Sequence, residues 1–149
     1  MSTLVDTSIL TRAVYKADPQ HQLAVDSVDS LRKQNEQLCV VPQNFYELWV
    51  VCTRPIAQNG LGMSPAQVEA EIVQLECLFI TLDDIAAIFP EWRRIVNQYK
   101  VSGKNGHDAR LVAAMRVHRI AQILTFNTQD FQRYQGITVL SPKQVGTSP

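Results

Sequence analysis

At 149 residues, with 46% hydrophobic and 19% charged content, the chain is long enough to bury one core, and its composition excludes a disordered class. Lys plus Arg equals Asp plus Glu at 14 each, so bulk charge supplies no field for a nucleic acid, which would need a local patch or bound cations. No apolar run reaches membrane-spanning length and MSTLVDTS has no basic-then-apolar leader, so a cytoplasmic protein with no membrane segment is expected.

The first apolar run, Thr3-Leu4-Val5-Asp6, predicts a strand ending in the helix-cap signal Asp6-Thr7-Ser8, with a short helix over about Ile9 to Tyr15. Asp18-Pro19 predicts a second helix start, with Asp18 as cap and an apolar face of Leu23, Ala24, Val28 and Leu31 out to about Asn35. Leu38 to Val41 reads as a buried strand stopped by Pro42. Asn44 to Thr53 follows as an apolar helix whose one formal charge is Glu47. Ser64-Pro65 predicts a capped helix running to Leu78, amphipathic through Val68, Ile72, Val73 and Leu75. Phe79 to Leu82 is a third strand candidate, and a long helix is expected from about Asp84 to Tyr99, kinked or divided at Pro90. A mobile loop over Val101 to Gly106 precedes a helix from Asp108 to Arg119, then a strand at Ile123 to Thr125, a turn at Asn127 to Phe131, and a last strand at Ile137 to Leu140. Cys39, Cys52 and Cys77 are odd in number, form no CxxC pair and lie in apolar surroundings, which predicts buried thiols in a reducing compartment.

Short apolar strands alternating with helices indicate a three-layer α/β/α domain over residues 1–142, with a mainly parallel sheet of four to five strands, and a flexible tail over 143–149. In such a sheet functional groups gather outside the carboxyl ends of the strands. Asp6 and Asp130 follow strands one and four and belong to that edge. Asp108 opens the helix feeding strand four, and Glu47 lies a turn inside its helix among Phe45, Tyr46, Leu48, Trp49, Val50 and Val51. Each acid has a plain reading as well: Asp6 as a cap, Asp108 as a first-turn acid facing the helix dipole, Asp130 as a turn residue. Glu47 is the hardest to explain that way, because a lone acid in apolar surroundings is costly to bury. Crowded carboxylates are tolerated when a cation neutralises them, and an all-oxygen set suits Mg²⁺ or Mn²⁺. Arg12, Arg54, Lys104, Arg110 and Arg116 are candidates for a phosphate track, Lys104 and Arg110 foremost for their nearness to Asp108.

VDTSIL, NFYELWVVCTRP, HDARLVAAM and LTFNTQDF followed by GITVLSP occur in an order that resembles the PIN-domain superfamily, and within it the VapC-type toxin ribonucleases. The resemblance spans nearly the whole chain. It implies a metal-dependent endoribonuclease in which Asp6, Glu47 and Asp108 are the core metal-binding acids. Asp130 matches the fourth acidic position, and Asn127 stands where many relatives place that acid. It further implies that Thr7 or Ser8 helps hold the metal water or substrate and that Thr125 borders the site. A homodimer silenced by a cognate antitoxin protein completes the implied biology. The rival readings are a metal phosphohydrolase acting on another phosphate ester, and a non-catalytic PIN-like binding module.

Overall fold

A computed structural model describes residues 1–146. Five strands, β1 (Ser2–Val5), β2 (Gln37–Val40), β3 (Ile80–Thr81), β4 (Gln122–Leu124) and β5 (Thr138–Leu140), form one sheet in the order β3-β2-β1-β4-β5, every pair parallel. Around it stand α1 (Thr7–Val14), α2 (His21–Lys33), α3 (Pro42–Thr53), α4 (Pro65–Leu78), α5 (Ile88–Gln98), α6 (Asn105–Val117) and α7 (Pro142–Gly146).

The inner strands β1, β2 and β4 carry mostly buried apolar residues because both of their faces are covered, and successive residues serve opposite cores. Leu4, Cys39 and Ile123 point to a core built with Ile88, Ile95 and Leu111 of α5 and α6. Val5, Val40 and Leu124 point to the other, built with Ile9, Leu10, Val28, Leu48 and Val68 of α1 to α4. The connections from β1 to β2 and from β2 to β3 step outward on the α1–α4 face. The α5–α6 connection returns across the sheet to lay β4 on the free side of β1, and right-handed crossovers require the opposite face for that return. The strand order therefore reverses at β1, and a crevice opens between the carboxyl ends of β1 and β4.

The local starts differ from the sequence reading in instructive ways. Ser64 caps α4 as expected, accepting from the Gln67 N–H at 3.2 Å while Gln67 Oε1 accepts from the Ser64 N–H at 2.8 Å. Asp18 does not start α2; its Oδ1 accepts from the Gln20 N–H at 2.7 Å in a local turn, and the helix begins at His21. Pro42 begins α3 rather than merely ending β2, and Pro90 lies in the first turn of α5, where its missing N–H costs no helical bond. α6 starts at Asn105, three residues before Asp108, so the expected loop is shorter. Cys39 and Cys52 are buried but Cys77, on the outer face of α4, is exposed. At the C-terminus α7 packs on α2 with Val145 in the core, so the stretch expected to be a flexible tail from 143 is helical to Gly146, and 147–149 lie outside the described residues. Among the described residues no helix is long and apolar enough to cross a membrane.

Candidate active site

Asp6 follows β1 directly, its N–H donating to the Leu124 carbonyl of β4 at 3.0 Å. It occupies the N-cap position of α1 but makes no side-chain capping bond. Its carboxylate turns instead to two hydroxyls: Ser8 Oγ donates to Oδ2 at 2.8 Å and Thr125 Oγ1 at 2.7 Å. Each hydroxyl also accepts a backbone N–H, Ser8 from Phe126 at 3.1 Å and Thr125 from Asn127 at 2.9 Å, which leaves its own proton for Asp6. The carboxylate is 5% exposed. Burial raises its pKa above the ordinary value, and the bonds from Thr125 and Ser8 offset part of that rise.

Glu47, half-buried one turn into α3, is oriented by a relay from the same helix start. Thr7 Oγ1 donates to Glu47 Oε1 at 2.8 Å and accepts from Asn44 Nδ2 at 3.2 Å, while Asn44 Oδ1 accepts from the Val41 N–H at 2.8 Å. Burial raises the Glu47 pKa first, and the Asp6 charge adds to it. Asp108 sits in the first turn of α6, partly buried. Its pKa is pushed up to about 7, first by burial and then by the charges of Asp130, Asp6 and Glu47, with Lys104 acting in the other direction. Asp6, Glu47 and Asp108 share the wall of one open cleft of about 420 Å³, together with Thr7, Ser8 and Asn127.

The remaining expected residues divide. Asn127 lines the cleft, whereas Asp130 is exposed on the 3-10 turn Thr128–Asp130 beside it and reaches Asp108 by charge alone. Lys104 is exposed at the N-cap of α6. Arg110 is already paired: Nη2 stands 3.2 Å from Asp84 Oδ1 and Nη1 donates to Gln43 Oε1 at 2.9 Å. It faces a neighbouring groove of about 580 Å³ with Tyr46, Val50 and His107, which meets the acid cleft at Glu47. Asn44 and Gln43 were not anticipated. Asn44 frames Glu47 as described, and Gln43 Nε2 donates to the His107 carbonyl at 2.7 Å, clasping α3 to α6. Their spacing was a usable signal, because three and four residues before Glu47 is one helical turn on the same face.

The side chains suit a divalent cation in chemistry and charge. The donors are carboxylate, hydroxyl and amide oxygens, the set preferred by Mg²⁺ and Mn²⁺. The Asp108 pKa is raised first by burial and then by the neighbouring carboxylates, and a bound cation would offset the charge part of that rise. Among the described residues no three acidic, histidine or cysteine side chains already stand as a coordinating cluster, and Asp6 and Glu47 each commit one oxygen to a hydroxyl.

Comparisons with known proteins agree with this architecture. Ribonuclease VapC48 of Mycobacterium tuberculosis is 28% identical over 151 residues, covering 95% of this chain and 98% of that protein. Among solved structures, VapBC2 of Rickettsia felis bound to a promoter DNA fragment superposes with a TM-score of 0.69 at 14% identity, covering 95% of this chain and 98% of the other. VapC20 of M. tuberculosis, a Sarcin-Ricin loop cleaving toxin, gives 0.64 at 17% identity, covering 88% and 94%. At such identities the superpositions speak for the fold. The sequence profile of the PIN domain matches residues 3–137, nearly the whole chain, and the protein therefore belongs to the PIN domain family.

Proposed function

We propose that the chain is a divalent-metal-dependent endoribonuclease and the toxin of a toxin–antitoxin pair, acting as a homodimer and silenced by an antitoxin that covers the acidic cleft. The observation that carries the reading is the convergence of Asp6, Glu47 and Asp108 on one cleft at the β1–β4 switch point. The full-length likeness to a VapC ribonuclease supports RNA as substrate, and likeness to VapBC assemblies supports the antitoxin.

Asp6, Glu47 and Asp108 are the residues that would hold the cation, with Asn127 or Asp130 at the fourth position. When bound, the cation would neutralise phosphate charge and acidify a water for attack on the phosphodiester. The chain's own contribution is orientation. Hydrogen bonds from Ser8 and Thr125 hold the Asp6 carboxylate, and the Asn44–Thr7 relay holds Glu47. Asp108, on the opposite helix layer, closes the third side.

The test is cleavage of a single-stranded RNA panel by the purified chain with Mn²⁺ or Mg²⁺, beside Asp6→Asn and Asp108→Asn. Cleavage by the parent and a loss of about a hundredfold or more in either variant is expected. A parent that cuts no RNA, or variants that cut equally well, would overturn the proposal.

A further inference from the structure

The acid cleft also contains a cation that no acid claims. Arg12, in the last turn of α1, lines the same wall as Asp6, Glu47, Asp108 and Asp18. Among the described residues the ion pairs are Arg94–Glu91, Arg110–Asp84 and Arg116–Glu91, so its guanidinium stands beyond 4 Å of every carboxylate around it. Three neutral contacts hold it instead. Nε donates to Gln20 Oε1 at 2.9 Å, Nη1 donates to the Ser8 carbonyl at 3.0 Å, and the guanidinium carbon lies 4.5 Å from the centre of the Phe126 ring. Among the described residues Nη2 has no hydrogen-bond partner. The Phe126 platform is itself pinned, because its N–H donates to Ser8 Oγ, the hydroxyl that orients Asp6. The end of β4 therefore fixes the acid and the cation together.

A guanidinium already ordered by stacking and neutral acceptors keeps its full charge and loses little freedom on meeting an anion. An RNA phosphodiester is the anion that would lie between such a cation and a carboxylate-held metal ion. Resting on the ribonuclease reading, we propose that Arg12 forms a phosphate-binding subsite of this cleft, gripping an RNA phosphodiester beside the acids, with Gln20 as its positioning residue. Gln20 acts through Nε alone and touches no substrate; its own N–H is held by Asp18 Oδ1 at 2.7 Å, so the Asp18-Pro19-Gln20 turn sets the Arg12 rotamer.

Two measurements test this. RNA affinity is read by fluorescence anisotropy in EDTA, where no cleavage occurs, on oligonucleotides carrying a neutral methylphosphonate at each position in turn. Arg12→Gln is expected to weaken binding of unmodified RNA about ten- to a hundredfold and to lower the salt slope by about one, with Arg12→Lys in between. One methylphosphonate position should weaken binding to the parent and cost Arg12→Gln nothing further, a coupling that a merely misfolded variant cannot produce. With Mn²⁺ present, Gln20→Ala is expected to raise KM several-fold at nearly constant kcat. Affinity for unmodified RNA unchanged in Arg12→Gln, or equal sensitivity of parent and variant at every methylphosphonate position, would overturn the subsite. A parent that binds RNA through Arg12 but never cleaves it would instead sink the ribonuclease reading and leave the subsite standing.

Discussion

Asp108 holds a position that is unfavourable for folding in the absence of metal, and this is directly measurable. Its pKa rises from 3.8 to about 7 in the folded chain, so the folded state binds a proton that the unfolded state has already released between those values. The associated penalty is absent below about pH 4, grows as pH rises, and is fully present above pH 7. Taken whole, the span would be worth about 4 kcal/mol. The cleft is open to water and Asp108 is only partly buried, so screening reduces this to about 1–2 kcal/mol. Asp108→Asn keeps the shape and deletes the charge. In EDTA at pH 8 the variant should melt about 2–8 °C above the parent, and the two should converge near pH 4. Adding Mg²⁺ at pH 8 should raise the parent's Tm more than the variant's, since a ligand of the folded state stabilises it by mass action. A variant that melts below the parent at pH 8, or a gap of the same size at pH 4, would refute the electrostatic account of the cleft.

Thr125→Val, nearly equal in volume, removes the donor to Asp6 and the acceptor for the Asn127 N–H; it should cost about 1–3 kcal/mol in denaturant melts and lower RNA cleavage at least tenfold. Asn127→Ala should reduce kcat/KM more than Asp130→Asn, because only Asn127 is on the cleft wall; the reverse order would assign the fourth position to Asp130. Asp130→Asn should nevertheless lower the Asp108 pKa, visible by carboxyl NMR titration in metal-free protein, since Asp130 is the foremost of the charges raising it. Gln43→Ala should destabilise the chain by about 1–2 kcal/mol and speed amide exchange at the start of α6, where Gln43 holds the His107 carbonyl.

The parallel sheet was legible because strands covered on both faces must be apolar throughout, as Leu4-Val5 and Leu38 to Val41 are, and because the Ser64-Pro65 signal is local chemistry that tertiary contacts do not override. The start of α6 was not. Gly103 and Gly106 read as a loop, yet Trp92 Nε1 donates to the Gly106 carbonyl at 2.8 Å and packs α5 on α6, and that contact outweighs the poor helix propensity of glycine. Of the acids only Glu47 stood out as a charge in apolar surroundings; Asp6 and Asp108 fitted ordinary helix-start roles as well, and their grouping with Glu47 came from the resemblance to PIN domains. Arg110 was favoured over Arg12 because sequence nearness to Asp108 was the available guide, whereas the helix turns Arg110 toward Asp84 and Gln43. The framing residues Asn44 and Gln43 escaped notice because polar residues beside a proline at a helix start look like ordinary entry chemistry.

Asp6 and the hydroxyl that orients it, Thr125, are separated by 119 positions in sequence. Their meeting requires β4 to dock on β1, a pairing of the most remote strands that hydrogen-bond directly in this sheet. Loop closure over such a distance is entropically late in folding, and during synthesis Asp6 and Glu47 emerge long before Thr125 does. A growing chain thus carries most of its acids without the frame that aims them. For a protein that would cut RNA, the topology itself withholds competence until translation has passed the fourth strand.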